Sequence, residues 1–218
     1  MLQYRTVAEE TVGLLKRLMQ TPELADFALA GGTSLALQLG HRESYDLDLF
    51  SRTEFSADEM FLFLERNFRA NLISKSQHIL ISMIEDVKVD CVYHPYHFKH
   101  PLIETDGIRL VHIEDVAAMK ISAVAGRGRK RDFHDLYFLL QKFTLSQLLD
   151  FHAQKYGKSS LFHALRSLSY FEDAEADADP IYSKHWIGEQ LKVGFRRQLW
   201  RFKSCLTCFP TDKSVGWA

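Results

Sequence analysis

The stretch Ala30-Gly31-Gly32-Thr33-Ser34-Leu35, followed after a short interval by Asp46-Leu47-Asp48, decides the fold. The apolar run Phe27–Ala30 predicts a short buried strand, and the leucines after the glycines predict a helix that ends at Gly40. A turn between a strand and a helix presents free backbone N–H groups at a helix start, which carries partial positive charge. Two glycines let that backbone approach an anion closely. We therefore predict a phosphate-binding turn formed by Gly31, Gly32, Thr33 and Ser34.

Asp46 and Asp48 stand two residues apart in Tyr45-Asp46-Leu47-Asp48-Leu49-Phe50, a segment that predicts a strand. Alternate residues of a strand share a face, so both carboxylates point the same way while Leu47 and Leu49 face a core. Adjacent like charges are costly unless a cation neutralises them. The alternative interpretation is an ordinary tight turn followed by two solvated aspartates on an edge strand. Because the turn and the acids occur together, we favour a phosphate site with a metal site beside it.

Asp90 supplies a third acid. It lies on Val87–Tyr93, which is predicted to return from a hairpin turn at Glu85-Asp86, and it faces away from the main apolar row. Two-metal phosphoryl chemistry needs several carboxylates converging from neighbouring strands, and Mg²⁺ prefers oxygen ligands completed by substrate phosphates. Asp46, Asp48 and Asp90 meet that requirement if their strands are adjacent, with Mg²⁺ or Mn²⁺ as the metal. The alternative for Asp90 alone is a solvent-facing strand residue.

A second group of charged residues lies on predicted helices. Lys120 interrupts an apolar helix, and the cationic segment Arg127-Gly128-Arg129-Lys130-Arg131 follows it. Asp132 and Asp135 are three residues apart on the next helix and therefore share a face. One interpretation is a cationic wall that binds a triphosphate or RNA, with the two acids orienting Lys120 or Arg131. The other is a solvated connector followed by a helix whose first acid is favoured by the helix dipole.

Strand and helix patterns alternate up to about residue 113, and only helical patterns follow. We expect an α+β fold, with a mixed sheet and flanking helices in residues 1–113 and an all-helical domain in residues 114–218. The strand patterns other than those above cover residues 73–84 and 107–112. The helical patterns cover residues 7–19, 56–70, 114–125, 131–142, 145–156, 160–171 and 184–202.

Composition limits the function classes. The chain has 218 residues, 46% hydrophobic and 25% charged, with a net charge of -1, so no global field attracts it to nucleic acid or anionic lipid. It contains no apolar run of membrane-spanning length and no secretory signal, so we expect a cytoplasmic protein without a membrane partner. Cys91 is expected in the core. Cys205 and Cys208 form a lone C-x-x-C that lacks the two further ligands of a zinc site.

The motifs together resemble a known signature. Ala30–Leu35, the string His41-Arg42-x-Ser44-x-Asp46-Leu47-Asp48-Leu49-Phe50 and the later Asp90 resemble the DNA polymerase beta-type nucleotidyltransferases. They are most similar to the AbiEii/AbiGii-type nucleotidyltransferase toxins of bacterial abortive-infection and toxin–antitoxin systems. Lys120 and Arg131-Asp132-x-x-Asp135-Leu136 match the second motif of that family. The resemblance covers residues from about 27 to 140, and residues 170–174 are similar to the family's C-terminal region.

The resemblance implies a bilobed, cytoplasmic bacterial enzyme that uses magnesium to transfer a nucleotide from a nucleoside triphosphate to an acceptor. In some members the acceptor is the 3′ end of tRNA, and the usual neutralising partner is a separately encoded antitoxin. Many members carry a basic residue before the paired glycines. Ala30 stands there in this chain, which leaves the nucleotide preference open.

The residues suggest the following division of roles. Asp46 and Asp48 hold the metal that bridges the triphosphate, and Asp90 helps to hold a second metal and positions or deprotonates the attacking hydroxyl. Gly32, Thr33 and Ser34 bind the β/γ-phosphates through backbone N–H groups and a hydroxyl. Lys120 neutralises charge on the leaving pyrophosphate. Arg42 is either a phosphate contact or one half of a surface ion pair with Glu43.

Two rival functions remain. One is a nucleotidyltransferase fold that has lost catalysis and only binds an antitoxin or RNA, although a pure binder has no need of three clustered acids. The other is a metal-dependent phosphotransferase or nuclease. A nuclease has no need of a triphosphate-binding turn, so the Gly31–Ser34 segment weighs against it.

Overall fold

The computed structural model describes residues 1–158 and 161–168, together with Asp177 and Ile181. Within this part of the chain, strands and helices alternate first and helices alone follow, as predicted. The strands are β1 (Phe27–Leu29), β2 (Leu47–Ser51), β3 (Asn71–Ser76), β4 (Ile79–Ile84), β5 (Val87–Tyr93), β6 (Ile103–Thr105) and β7 (Ile108–Leu110). The helices are α1 (Glu9–Met19), α2 (Gly31–Leu39), α3 (Ala57–Phe68), α4 (Ile113–Gly126), α5 (Lys130–Leu139), α6 (Leu145–Tyr156) and α7 (Leu161–Leu168).

The strands form one mixed seven-stranded sheet in the order β3-β4-β5-β2-β1-β7-β6. β2 runs parallel to β5 and β1 runs parallel to β7, while the other neighbouring pairs are antiparallel. The α+β fold class predicted from the sequence is therefore confirmed. β2 lies at the centre of the sheet, so any side chain on its open face is held by strands on both sides.

Local sequence signals explain several element boundaries. Ser56 accepts a hydrogen bond from the backbone N–H of Glu59 at 3.3 Å and is the N-cap of α3, at the start of the helical pattern predicted over residues 56–70. Glu85 and Asp86 both adopt positive φ, as a tight two-residue turn between β4 and β5 requires. Gly40 adopts a left-handed conformation directly after α2 and ends that helix.

Two strand predictions were wrong in extent. Residues 73–84 form not one strand but most of the β3–β4 hairpin, because the chain turns at Gln77 and His78. Neither residue is of a type that usually forms turns, so nothing in the sequence indicated the turn. The strand predicted over 107–112 is confined to β7, and β6 was missed. Asp106 and Gly107 join these two strands with φ of 53° and 76°, and an Asp-Gly pair is a strong hairpin signal.

The core has two parts, one on each side of the sheet. The first joins α1 and α3 to the strands through residues such as Leu14, Leu18 and Leu64. The second contains Ala28 and Leu35 from before residue 113, together with Val116 and Phe133 from after it. The predicted boundary between residues 113 and 114 thus falls within a shared core. The domain division itself stays a prediction.

Other predictions concern parts of the chain outside the described residues. These are the helix over 184–202, the start and end of the helix over 160–171, the similarity at 170–174 and the Cys205–Cys208 pair. Cys91 is fully buried in β5, as expected. In residues 1–158 and 161–168, every helix is too short or too polar to cross a bilayer.

Candidate functional site

The three acids proposed as metal ligands come together at the centre of the sheet. Asp48 of β2 is the register partner of Asp90 on the parallel strand β5, and Asp46 precedes β2 with the same parity as Asp48. Neighbouring strands lie about 4.8 Å apart, so the paired carboxyl groups leave the same face from adjacent positions. Burial raises the pKa of the Asp48 carboxyl, and the charges of Asp90 and Asp46 raise it further. A cation between these groups would relieve that repulsion.

Two lysines already neutralise part of this negative charge. Lys88 Nζ lies 2.6 Å from Asp90 Oδ1, and the Lys88 and Lys120 charges both oppose the rise in the pKa of Asp48. The site therefore combines oxygen ligands of the kind that Mg²⁺ prefers with nearby cations suited to phosphate oxygens.

The paired glycines allow close contacts that a Cβ atom at either position would prevent. Gly31 begins α2 at a φ of 64°, and a Cβ atom there would lie 2.0 Å from Asp48 Oδ2. A Cβ atom on Gly32 would lie 2.4 Å from Arg42 Nη2. The first turn of α2 thus packs directly on one proposed metal ligand and on a buried guanidinium. Its first N–H groups have no acceptor within the helix.

Thr33 and Ser34 are fully buried, so their hydroxyl groups bind within the protein. Thr33 Oγ1 lies 2.8 Å from Ser44 Oγ and is also hydrogen-bonded to the backbone carbonyl of Asp46. Ser34 Oγ accepts a hydrogen bond of 2.9 Å from Gln38. Thr33 therefore positions the loop that carries Asp46, and only backbone N–H groups of this turn are left to contact a phosphate.

A buried ionic cluster lies beneath the turn and is centred on Asp135 of α5. Lys120 Nζ lies 2.7 Å from Asp135 Oδ2, and Arg42 Nε lies 2.6 Å from Asp135 Oδ1. His41 Nε2 is 2.8 Å from the same Oδ1 atom. Burial alone would raise the pKa of the Asp135 carboxyl, but Arg42 and Lys120 hold it well below its usual range. The cluster joins the segment after α2 to helices α4 and α5.

The placement of Arg42 differs from both alternatives drawn from the sequence. Its side chain is buried, with Nη2 donating to Asp135 Oδ2 at 3.0 Å and Nη1 donating to the backbone carbonyl of Glu43 at 2.9 Å. Among the described contacts there is no ion pair with the Glu43 carboxylate, because the Arg42 guanidinium is buried against Asp135. The Glu43 carboxylate accepts a hydrogen bond from the Tyr45 hydroxyl. Arg42 therefore supports the glycine turn from below.

Asp132 of α5 lies next to this ionic cluster and faces α4. Its carboxylate accepts from Lys120 at 3.0 Å and from Arg127 Nε at 2.8 Å. Burial would raise the pKa of Asp132, but the Arg127 hydrogen bond and the Lys120 charge lower it overall. Asp132 and Asp135 together hold Lys120. In the described part of the chain, neither carboxylate forms an ion pair with the Arg131 guanidinium, whose Nη1 lies 3.4 Å from Asp46 Oδ2.

A cleft of about 340 Å³ opens beside Asp48. Its polar lining comes from Gly31, Asp48, Lys120 and Arg127, and its aromatic lining comes from Phe50, His94 and Tyr156. The combination of a carboxylate, two cations and aromatic rings matches the chemistry of a nucleotide, which joins charged phosphates to a flat base.

Comparison with known proteins agrees with this geometry. Residues 13–208 match the family described as nucleotidyl transferase AbiEii toxin, type IV toxin–antitoxin system. The chain belongs to this family. It is also 30% identical over 205 residues to an uncharacterized protein, aq_aa25, of Aquifex aeolicus (strain VF5), covering 89% of this chain and 97% of that one. The family resemblance identified from the motifs is therefore confirmed.

Two solved structures support the fold. A proposed nucleotidyltransferase from H. pylori superposes with a TM-score of 0.53 at 18% identity, covering 92% of this chain and 97% of that one. MenT4, a nucleotidyltransferase toxin from Mycobacterium tuberculosis H37Rv, superposes with a TM-score of 0.51 at 14% identity, covering 85% of this chain and 78% of that one.

The cationic segment of this AbiEii family member differs from a solvated connector, because several of its side chains have partners within the protein. Lys130 is buried, and its Nζ donates to the backbone carbonyl of Asp177 at 3.0 Å. Arg127 pairs with Asp132 and lines the cleft, while Arg131 approaches Asp46. Arg129 is exposed. Much of the charge of this segment is therefore committed to internal contacts or to the cleft.

We expect Arg127→Ala to weaken nucleoside triphosphate binding about tenfold or more, since a charged hydrogen bond to phosphate contributes about 1.5–3 kcal/mol. Arg129→Ala removes the same charge from an exposed position outside the cleft lining and should change binding less than about twofold. Titration of both variants with ATP, GTP, CTP and UTP in Mg²⁺ measures this. Equal losses of affinity in the two variants would mean that the whole cationic segment attracts the triphosphate and that the position of Arg127 in the cleft lining is not decisive.

A separate group, His100, His112 and Glu114, has the ligand types of a metal site, with potential ligand atoms within 4.8 Å of one another. These side chains already form hydrogen bonds within the protein. His100 Nε2 lies 2.9 Å from Glu114 Oε2, and His112 Nδ1 accepts from the backbone N–H of Glu114 as the N-cap of α4. We assign this group to the structure of the α4 N-terminus.

No role was predicted for His41, Phe50, His94 or Tyr156, although His41 and Phe50 stand in the string that resembles the family. Phe50 and His94 could have been found, because each continues the parity of an acid, Asp48 or Asp90, along its strand. His41 and Tyr156 had no such signal, since only the packing of distant helices brings them to the cluster and the cleft.

We expect His94 to make folding stability depend on pH. Burial first, and then the Lys155 charge, lowers the pKa of His94 from 6.5 to about 4. The unfolded chain therefore binds a proton between these values that the folded chain does not, so stability falls as pH falls from 6.5 to 4. As the pH is lowered from 7.5 to 5, the melting temperature of His94→Phe should fall less than that of the wild type. His97→Phe, a substitution at an exposed position, should show the same fall as the wild type. Parallel melting curves for wild type and His94→Phe would contradict this.

Proposed function

We propose that this protein transfers a nucleotide from a nucleoside triphosphate to an acceptor in a reaction that depends on Mg²⁺ or Mn²⁺. The observation that carries the proposal is the pairing of Asp48 with Asp90 on parallel strands, with Asp46 on the same face. These acids stand beside a cleft that Lys120 and Arg127 also line. Membership in a nucleotidyltransferase family supports the same reaction class.

The residues divide the chemistry as follows. Asp46 and Asp48 bind the metal beside the triphosphate, and Asp90 contributes to a second metal position and orients the attacking hydroxyl. Bound divalent ions would neutralise phosphate charge and lower the pKa of the nucleophile. Lys120 is buried and held by two carboxylates, so its ammonium is already oriented to stabilise charge on the departing pyrophosphate.

The glycine turn contributes through its backbone. Gly31, Gly32 and Thr33 present N–H groups at the start of α2, where the helix dipole favours an anion. Arg131, whose guanidinium lies close to the Asp46 carboxylate, would contact the triphosphate beside the metal. Arg42, Asp132 and Asp135 act indirectly, by holding the turn and Lys120 in position.

For the acceptor we propose an RNA such as tRNA, with a protein hydroxyl as the other candidate. The description of the family as toxins of toxin–antitoxin systems supports a role in arresting growth, counteracted by a separately encoded antitoxin. The structure limits how RNA could bind, because most of the cations of the segment 127–131 are engaged internally. An RNA end would therefore reach the cleft mainly through exposed Arg129 and half-exposed Arg131.

The test is incubation with each α-³²P-labelled nucleoside triphosphate in Mg²⁺, together with total bacterial RNA or total protein. Label joined to RNA or to protein supports the transferase and identifies the acceptor class. Shortened RNA without label would favour a nuclease and overturn the proposal. Expression in bacteria, with and without the neighbouring open reading frame, then tests growth arrest and its neutralisation.

A second candidate is a catalytically inactive module that binds an antitoxin or RNA. The ion pair between Lys88 and Asp90 favours it, because an ammonium on the third acid competes with a metal for that carboxylate. Lys88→Ala separates the two functions. Faster label transfer in the variant supports a metal site that Lys88 restrains, whereas absence of transfer in both proteins supports the inactive module.

Mg²⁺ together with a nucleoside triphosphate should raise the melting temperature of the wild type by several degrees. A ligand at about a hundredfold its Kd stabilises the native state by about 2.7 kcal/mol, and the bound cation also relieves repulsion among the acids. Differential scanning fluorimetry with Mg²⁺ alone, nucleotide alone and both gives the measurement. An unchanged melting temperature under all three conditions would count against the assembled site.

A further inference from the structure

The aromatic part of the cleft continues the rows of side chains that carry the acids. Phe50 lies two residues beyond Asp48 on β2, and His94 lies four residues beyond Asp90, directly after β5. The backbone N–H of His94 donates to the carbonyl of Ser51 at 2.7 Å, so His94 extends the pairing of the two strands. Two residues of a strand span about 6.6 Å. A nucleotide whose phosphates lie at the acids would therefore extend its base along this row.

His94 has a buried polar atom that no other residue in the described part of the chain satisfies. The residue is only 8% exposed, it lines the cleft, and its Nε2 atom has no hydrogen-bond partner among the described residues. Leaving such an atom unpaired is costly, and native structures contain few of them. A ligand in the cleft would supply the missing partner.

Neighbouring rings hold the His94 imidazole in one orientation. Phe98 stacks on it with a centroid distance of 5.9 Å and an interplanar angle of 16°, and Tyr96 contacts it at 5.3 Å. Tyr156 approaches edge-on at 6.1 Å and also lines the cleft. Burial lowers the pKa of His94 to about 4, so the ring is neutral near pH 7 and offers one donor and one acceptor.

Among these rings, the His94 imidazole differs in carrying a hydrogen-bond donor and an acceptor on its ring, and this matters for nucleotide selectivity. Aromatic and apolar side chains contact the flat face of every base in a similar way and discriminate little. A fixed neutral imidazole distinguishes base edges by whether they present a donor or an acceptor at one point. We propose that His94 Nε2 hydrogen-bonds the edge of the substrate nucleobase and determines which nucleoside triphosphate this protein prefers. The inference rests on the proposed function, since it places a nucleoside triphosphate in the cleft.

The test is equilibrium binding of ATP, GTP, CTP and UTP, each in Mg²⁺, measured by displacement of a fluorescent nucleotide. We expect the tightest and weakest of the four to differ about tenfold in the wild type, the effect of one hydrogen bond. His94→Phe keeps the ring contacts and removes both nitrogens, so this ratio should fall to about threefold or less. His97→Phe, a matched substitution at an exposed neighbour outside the cleft lining, should leave it unchanged.

The outcomes separate this inference from the proposed function. If all four nucleotides bind and His94→Phe keeps the wild-type ratio, His94 only packs the cleft and the inference is overturned while the proposed function stands. A wild type that binds all four equally overturns it as well. If the wild type binds none of the four, both fail. If His94→Phe does not fold, His94→Gln decides, since an altered rank order supports the inference and an unaltered one overturns it.

Discussion

Asp48→Asn is expected to reduce nucleotide transfer by about a thousandfold or more while leaving the protein folded. The carboxylate lies opposite Asp90, and the backbone of Gly31 packs against it. The neutral amide of asparagine is a weaker ligand for Mg²⁺ than the charged carboxylate that it replaces. The substitution keeps the shape of the side chain and one acceptor oxygen, and it replaces the other oxygen with an NH2 group that can only donate. It replaces a carboxyl group whose pKa is raised by burial and by the charges of Asp90 and Asp46. Because the ionised form is unfavourable there, the melting temperature of the neutral variant should stay the same or rise.

The control is Glu104→Gln on the exposed edge strand β6, which removes the same charge away from the cleft and should keep wild-type activity. A second measurement checks the metal assignment directly. The increase in melting temperature produced by Mg²⁺ and nucleotide in the wild type should disappear in Asp48→Asn. Normal turnover by correctly folded Asp48→Asn would remove the basis of the catalytic assignment.

The sheet and the acids were predictable because their signals are local. Period-two alternation places Asp46 and Asp48 on one face, and the same alternation places Asp90 on the open face of its own strand. The hairpin at Glu85-Asp86 follows from a short break between two β-rich runs. The family motifs then relate β2 to β5, although nothing in either segment by itself fixes their parallel register.

The ionic cluster could not be predicted in the same way, because its members are distant in sequence. The sequence suggested that Asp135 orients Lys120 or Arg131, but Arg42 and Asp135 are 93 residues apart and no local signal indicated that they pair. The cationic segment was misleading for a related reason. A run of like charges in a sequence does not indicate which members find partners, and here Lys130 turns inward to Asp177.

The cluster also explains why polar residues at these positions are compatible with a buried location. Arg42, Lys120 and Asp135 each have a side chain that is almost fully buried, and removing such charges from water is expensive unless they are paired. Asp135 is the shared partner of three groups from two segments, namely His41 and Arg42 after α2 and Lys120 on α4. Its loss would leave several buried donors without their partner at once.

We therefore expect Asp135→Asn to lower the free energy of unfolding by about 3–5 kcal/mol, the range for breaking a buried ion pair from one side. Asp132→Asn is the matched control. It leaves Lys120 paired with Asp135, and Arg127 is half-exposed and can be solvated, so its cost should be clearly smaller. Urea denaturation of the three proteins at equal pH gives the comparison.

A double-mutant cycle identifies the cause of this destabilisation. Arg42→Gln combined with Asp135→Asn should cost less than the sum of the two single substitutions, because the double variant no longer buries the guanidinium opposite a neutral group. The Asp135 pKa is held well below its usual range, so its contribution is present above the unfolded value and is lost only as pH falls through the folded one. The difference between wild type and Asp135→Asn should consequently be constant from pH 5 to pH 8. Additive costs in the cycle would mean that Asp135 stabilises the fold through Lys120 and His41 rather than through Arg42.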